Sequence, residues 1–190
     1  HVQAYAARPD LFEIAALCDL DPERLRRFGD EHGVATRLSD YGTLLADVKP
    51  DVVNICTPPN THYEMITQGL AAGATVVCEK PLVGSLADVD RLEESEKASG
   101  RRIMPIFQYR FGNGLQRLKR LVDAGLTGEA IFTTIETSWL RGADYYAVPW
   151  RGKWATEMGG VCLTQAIHSH DMLSYINGPV ASVFANLRTR

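Results

Sequence analysis

Asp51-Val52-Val53-Asn54-Ile55-Cys56, Thr57-Pro58-Pro59-Asn60-Thr61-His62 and Ala74-Thr75-Val76-Val77-Cys78-Glu79-Lys80-Pro81 are the stretches on which the fold turns. Two short, nearly continuous apolar runs are each followed at once by polar and proline-rich turn residues. Between them, residues from about Thr61 to Ala72 have the length of one helix, closed by Gly73. Strands buried on both faces read as unbroken apolar runs, and parallel neighbours need a crossover connection. The two runs and the helix between them therefore form a βαβ unit.

The same rhythm extends outward. Upstream, Leu11-Phe12-Glu13-Ile14-Ala15-Ala16-Leu17-Cys18 is a further apolar run ending at Asp19. Asp21-Pro22-Glu23 then supplies an N-cap, a proline at the first helical position and a first-turn acid, for a helix to about His32 before Gly33. Ser39-Asp40 caps a short helix through Ala46. Downstream, Ser85 caps a helix to about Ser99, Gly100 stops it, and Ile103-Met104-Pro105-Ile106-Phe107 is the next strand. The expected fold class is α/β, with a mainly parallel sheet covered on both faces.

Beyond Gly112 the pattern changes. A helix over about 114–124 ends at Gly125, and residues 129–139 alternate as a long half-exposed strand, with Ile131, Thr133 and Ile135 on one side and Phe132, Thr134 and Glu136 on the other. This predicts a second, α+β domain with an antiparallel sheet. The seam falls near residues 108–114, giving domains 1–110 and 111–190. Both ends read as interrupted: His1 to Ala7 is a helix already under way, and Val180 to Asn186 is a strand without partners.

In 190 residues, 45% are hydrophobic and 23% charged, the composition of an ordinary globular protein. The formal net charge of −3, with no basic run, offers no footprint for nucleic acid or an anionic membrane. No stretch is apolar and long enough to span a bilayer. Cytoplasmic location and small-molecule partners are the expectation. Cys18, Cys56, Cys78 and Cys162 stand singly without metal-ligand spacing, so no metal site is expected, and the first three read as small buried hydrophobes.

Ligands of open parallel sheets bind outside the carboxyl ends of the strands. Lys80, directly after a buried strand, is placed for proton transfer, since burial and a nearby cationic ring can lower its pKa; a strand-end lysine reaching solvent is the bland alternative. Asp19 would meet the ribose hydroxyls of a dinucleotide and repel a 2′-phosphate, favouring NAD over NADP, although Arg24, Arg26 and Arg27 lie nearby. As a simple turn residue it would need no ligand. Thr57, Pro58 and Asn60 form a rigid turn with polar contacts for a ribose or nicotinamide.

A helix over about 163–177 would set Thr164, His168, Asp171 and Tyr175 within about 60° of arc. Asp171, one turn after His168, could fix the imidazole's tautomer, leaving its other nitrogen for a substrate hydroxyl; a buried, hydrogen-bonded core histidine is the alternative. His170 reads as a packing histidine on the apolar side. Between Arg141 and Trp154, the run Tyr145-Tyr146-Ala147-Val148-Pro149-Trp150-Arg151-Gly152-Lys153 offers aromatic faces for a sugar and cations for hydroxyls or a carboxylate. A dimer contact suits that composition equally well.

Taken in order, Cys-Asp-x-Asp-Pro-Glu-Arg (18–24), Thr-Pro-Pro-Asn-Thr-His (57–62), Glu-Lys-Pro (79–81), Gln-Tyr-Arg-Phe (108–111), Gly-Leu-Thr-Gly-Glu (125–129) and Gly-Gly-x5-Ala-Ile-His-x-x-Asp (159–171) closely resemble the Gfo/Idh/MocA family of NAD(P)-dependent oxidoreductases. The resemblance implies a Rossmann-type doubly wound sheet, followed by an α+β domain on an open, mostly antiparallel sheet that also makes oligomer contacts, in a dimer or tetramer. It implies hydride exchange between a nicotinamide (NAD, with NADP possible) and a carbon of a sugar, inositol or related polyol. Lys80 would be the catalytic lysine and His168 its proton-handling partner. Cofactor contacts would come from Asp19, Thr57, Pro58, Asn60, His62, Glu79, Lys80 and Gln108, and substrate contacts from Tyr109, Arg110, Tyr146, Trp150, Arg151, Thr164 and His168. Arg110, Arg151 and Lys153 hint at an acidic sugar; as solvated surface cations they would mean nothing.

The chain departs from the family pattern twice. Thr164 stands where many dehydrogenase members carry Asp or Asn. The first strand and its glycine-rich phosphate loop are not among these residues, so a protein starting at His1 is expected to fold poorly. A non-catalytic dinucleotide-binding regulator on the same fold is the competing reading, and an oxidoreductase of another Rossmann family is the third.

Overall fold

The structure is a computed structural model that describes residues 1–188. In chain order it contains α1 (Val2–Ala6), β1 (Leu17–Cys18), α2 (Pro22–His32), β2 (Arg37–Leu38), α3 (Tyr41–Val48), β3 (Val52–Ile55), α4 (His62–Ala71), β4 (Thr75–Cys78), α5 (Leu86–Ser99) and β5 (Ile103–Pro105). There follow α6 (Asn113–Asp123), α7 (Ala143–Tyr146), α8 (Trp154–Glu157), α9 (Val161–Thr164) and α10 (Ile167–Asn177), with single 3-10 turns at Pro59–Thr61 and Gln108–Phe111.

All strand pairings are parallel. β3, β4 and β5 lie side by side, Val53 opposite Val76 and Cys78 opposite Pro105, while β1 pairs separately with β2. The fold class is the one expected, with two differences of extent. The run before Asp19 forms only two residues of strand, and β2, which carries too little apolar sequence to announce itself, is added beside it.

The helices begin where the capping residues stand. The Asp21 carboxylate accepts from the Glu23 and Arg24 amides at 3.0 Å, Asp40 from Thr43, and Ser85 from Asp88 at 3.1 Å. Gly33 and Gly100 end α2 and α5 at φ +67° and +65°, which a side chain would disfavour.

The core lies between β3–β4 and helices α4 and α5. Ile66, Val76 and Cys78 are completely buried and Ile55 and Leu92 nearly so. A Cβ at Gly69 would come within 3.0 Å of Val76 Cγ2 and 2.9 Å of the Tyr41 hydroxyl, so glycine is what lets α4 sit this close to β4. Ile66→Ala should lower the unfolding free energy by about 2–5 kcal/mol, measured as a fall in urea midpoint at constant slope.

Several expectations are corrected. Residues 129–139 and 180–186 form no strand and belong to no sheet among the described residues, because no neighbouring strand there ladders with them. Residues 129–139 instead lie along α10, where Asn177 Nδ2 donates to Thr133 Oγ1 at 2.9 Å and the Thr137 and Ser169 hydroxyls meet. Cys18 and Cys56 are exposed, since they stand at or just past the carboxyl ends of β1 and β3, where the sheet ends and the site begins. Only Cys78, inside the sheet, is buried, and burial pushes its thiol up. His170 is exposed.

The helix expected over 163–177 is broken. Gln165 leaves helical geometry at φ −122°, ψ −59°, ending α9 and letting α10 start afresh after Ala166. A continuous helix would have spent the Thr164 carbonyl on an amide four residues on. Here that oxygen is free for another donor.

Candidate active site

β3 delivers Cys56 and Thr57, β4 delivers Glu79, Lys80 and Pro81, and both turns open at the carboxyl end of the parallel sheet. Together with Tyr145, Trp150, Arg151, Glu157, Thr164 and Gln165 they wall a cavity of about 210 Å3. Residues more than sixty positions apart are thus brought to one place.

Lys80 is the centre of it. Its ammonium donates to the Thr164 carbonyl at 2.8 Å, the oxygen released by the break between α9 and α10. Burial lowers its pKa from the ordinary 10.5, and the Arg151 and Arg141 charges act the same way, against Glu79 and Glu157. Thr164 itself is 6% exposed and turns its hydroxyl back to the Gly160 carbonyl at 3.3 Å. Its contact with Lys80 is through the main chain, for which a threonine serves as well as an acid.

His168 lies close enough to Lys80 to feel its charge, and burial first, then that charge, hold the imidazole below its ordinary range. Its ring is 4.6 Å from Tyr109, edge-on to Phe107, and Nδ1 is buried without a partner. Asp171 does not orient it. That carboxylate is gripped by the Arg110 guanidinium, with Nε 2.8 Å from Oδ2 and Nη2 2.6 Å from Oδ1, while Arg110 packs over Phe107 and Tyr175. A fork-to-carboxylate pair outcompetes a single imidazole nitrogen for the same oxygens.

The remaining expected residues divide. Trp150, Arg151, Thr164, Thr57, Glu79 and Lys80 are on the cavity wall, whereas Arg110, Tyr146, Asn60 and Gln108 are not. Tyr146 stacks edge-on to Tyr145 and is half exposed. Pro58 accepts through its carbonyl from the Thr61 hydroxyl at 2.8 Å, fixing the turn. His62, completely buried, has its ring nitrogens 2.9 Å from the Pro81 and Thr57 carbonyl oxygens, so it ties the two site turns together from behind. Asp19 stands just after β1, its carboxylate 3.0 Å from Arg24 Nη1. Sequence reasoning missed Glu157, which accepts from the Gly152 amide at 2.7 Å, and Gln165, which accepts from Arg141 at 2.9 Å and donates to the Tyr145 hydroxyl at 2.7 Å. An acid just before Gly159-Gly160, in a stretch otherwise rich in aromatics and cations, was the available signal for Glu157.

Residues 1–107 match the family described as an oxidoreductase family with an NAD-binding Rossmann fold, and residues 115–190 match the GFO/IDH/MocA C-terminal domain. The chain belongs to the Gfo/Idh/MocA family. Among curated relatives it is 30% identical over 181 residues to D-glucoside 3-dehydrogenase of Escherichia coli, covering 94% of this chain and 50% of that protein. It is 33% identical over 174 residues to myo-inositol 2-dehydrogenase of Thermotoga maritima, covering 90% and 49%. The chain spans about half the length of these Gfo/Idh/MocA relatives. Among solved structures, the WlbA dehydrogenase of Bordetella pertussis, crystallised with NADH and UDP-GlcNAcA, superposes with a TM-score of 0.90 at 31% identity, covering all of this chain and 60% of that one. Among the described residues no helix is long and apolar enough to cross a membrane.

Proposed function

We propose that this chain supplies the catalytic centre of an NAD-dependent dehydrogenase acting on a carbon of a sugar, inositol or related polyol. The observation that carries the reading is Lys80, a half-buried ammonium held by a main-chain carbonyl inside a cavity walled from both halves of the chain. Relatives named as glucoside, inositol and apiose dehydrogenases support the substrate class. Residues 1–110 act as the cofactor domain and 111–190 as the beginning of a substrate and oligomerisation domain, working in a homo-oligomer in the cytoplasm.

The residues present fit a nicotinamide dinucleotide. Asp19 offers a carboxylate after β1, and Thr57, Pro58, Asn60, Glu79 and Gln108 stand on or near the turns beyond the strands, with His62 bracing them. When bound, the nicotinamide supplies the hydride acceptor. Lys80, as the neutral amine, takes the substrate hydroxyl proton while the carbon gives up its hydrogen as hydride, leaving a carbonyl. His168, near enough to feel the Lys80 charge, assists the proton path, and Trp150 gives the sugar an apolar face.

The test is production of reduced nicotinamide by the complete protein across sugars, inositols and sugar acids, with NAD and NADP in parallel. Turnover faster with NAD is expected, since Asp19 opposes a 2′-phosphate. Saturable NADH binding without turnover on any member would instead make the protein a dinucleotide-binding regulator. The rate of alcohol oxidation should rise with pH and level off at a midpoint below 10.5, because the proton acceptor is the amine whose pKa burial lowers. A flat profile from neutral pH upward would remove Lys80 from that role.

A further inference from the structure

Arg151, a cation of the cavity wall, has no carboxylate partner among the described residues. Arg151 lies with its guanidinium carbon 4.0 Å from the Tyr145 ring centroid and 5.1 Å from that of Trp150, and Arg141 lies 5.0 Å from the same Tyr145 and 5.1 Å from Trp139. Both Nε atoms are buried without a hydrogen-bond partner. Neither residue is among the arginines that form ion pairs in the described residues. The two acids at the cavity already have partners, Glu79 the Lys80 amide at 3.1 Å and the His1 ring Nε2 at 2.9 Å, and Glu157 the Gly152 amide at 2.7 Å.

Arg151 is thus a cation on the wall of a half-closed site without a carboxylate partner, and Arg141 shares its Tyr145 platform. Stacking fixes the plane of each guanidinium, so its donors are presented in a set direction without side-chain freedom left to lose. A buried guanidinium edge left without an acceptor is unfavourable, and an incoming oxygen acceptor relieves it. Of the three cations that the sequence hinted at, Arg110 is tied to Asp171 and Lys153 is exposed away from the cavity, so Arg151 alone stays on its wall.

We propose that the substrate is an anionic sugar, a uronic or aldonic acid unit, whose carboxylate is received by Arg151 with Arg141 behind it. The proposal rests on the reading of this cavity as the substrate site. A carboxylate matches the one unpaired guanidinium of the wall in charge and in its two-oxygen geometry; the dianion of a phosphate monoester would be left partly uncompensated. A neutral sugar would offer hydroxyl oxygens but no charge to the paired guanidinium groups.

The test is binding of methyl β-D-glucuronoside, methyl β-D-glucoside and glucose 6-phosphate to the NADH-loaded complete protein, in the parent and in Arg151→Gln and Arg151→Lys. The glucuronoside should bind at least about tenfold more tightly than the glucoside. Arg151→Gln should erase that preference by weakening the glucuronoside alone, and Arg151→Lys should retain part of it. Unchanged NADH affinity in the variants establishes that they are folded; if Arg151→Gln does not fold, the parent's preference and the Lys variant decide. Equal binding of the two glycosides, tighter binding of the phosphate, or an equal loss for both glycosides in Arg151→Gln would overturn the proposal. The two readings fail separately. Carboxylate preference without oxidation of any sugar would sink the dehydrogenase and leave the anion site standing, whereas oxidation of the glucoside with no preference for the glucuronoside would do the reverse.

Discussion

Lys80→Met should still fold and bind NADH, yet oxidise its substrate about 10²- to 10⁴-fold more slowly, the range that a positioned proton-transfer group contributes. Methionine matches the apolar stem of lysine, one heavy atom short, and removes the amine that holds the Thr164 carbonyl. The lost hydrogen bond and the relief of a buried charge act in opposite directions, so the unfolding free energy at neutral pH should stay within about 1 kcal/mol of the parent. The pH dependence of stability gives an independent reading. Because burial lowers the Lys80 pKa in the folded state, the unfolded chain holds more protons between the folded and unfolded values, and stability rises with pH across that alkaline window. The Met variant should lack that rise. Retained turnover in Lys80→Met would mean that another group carries the proton.

His62→Ala is expected to have the largest effect on stability of any single change at the site. The ring is completely buried and lies within hydrogen-bonding distance of two carbonyl oxygens, one in the turn after β3 and one in the turn after β4. Removing it leaves a buried carbonyl without its donor and a hole, a loss of about 3–5 kcal/mol measured by urea unfolding. NADH affinity should fall as well, although the ring is shut away from any ligand, because the Thr57 turn and the Lys80 turn would lose their common anchor. His62→Gln, which can still donate to one of the carbonyls, should recover part of both losses. An Ala variant with parental stability and normal NADH affinity would show that the turns hold themselves.

The sequence announced the sheet and most of its helices because the devices that make them are local. Asp21, Asp40 and Ser85 cap helices through their own side chains, and the runs at 52–55 and 75–78 are apolar enough to be buried whatever surrounds them. Residues 129–139 were misread for the opposite reason: alternation marks a chain ready to pair, but a ladder needs a neighbour that no local pattern contains. The site was legible in part. Lys80, Thr57 and Arg151 follow directly from strand ends and loop chemistry. The pairing of Asp171 was not, since an ideal helix from 163 onward aims it at His168, and only packing brings Arg110, far away in sequence, to claim it. Nor could periodicity reveal that Thr164 acts through its carbonyl, because the break at Gln165 carries no proline or glycine to betray it.

That break separates two jobs which a continuous helix would have tied together. The anchor of the Lys80 amine is an atom every amino acid possesses, so the side chain at position 164 can drift between acid, amide and hydroxyl without unseating the lysine. Under the proposed function, single substitutions at this position of the cavity wall would reshape the pocket while the lysine stays in place, and a designer altering specificity should begin there.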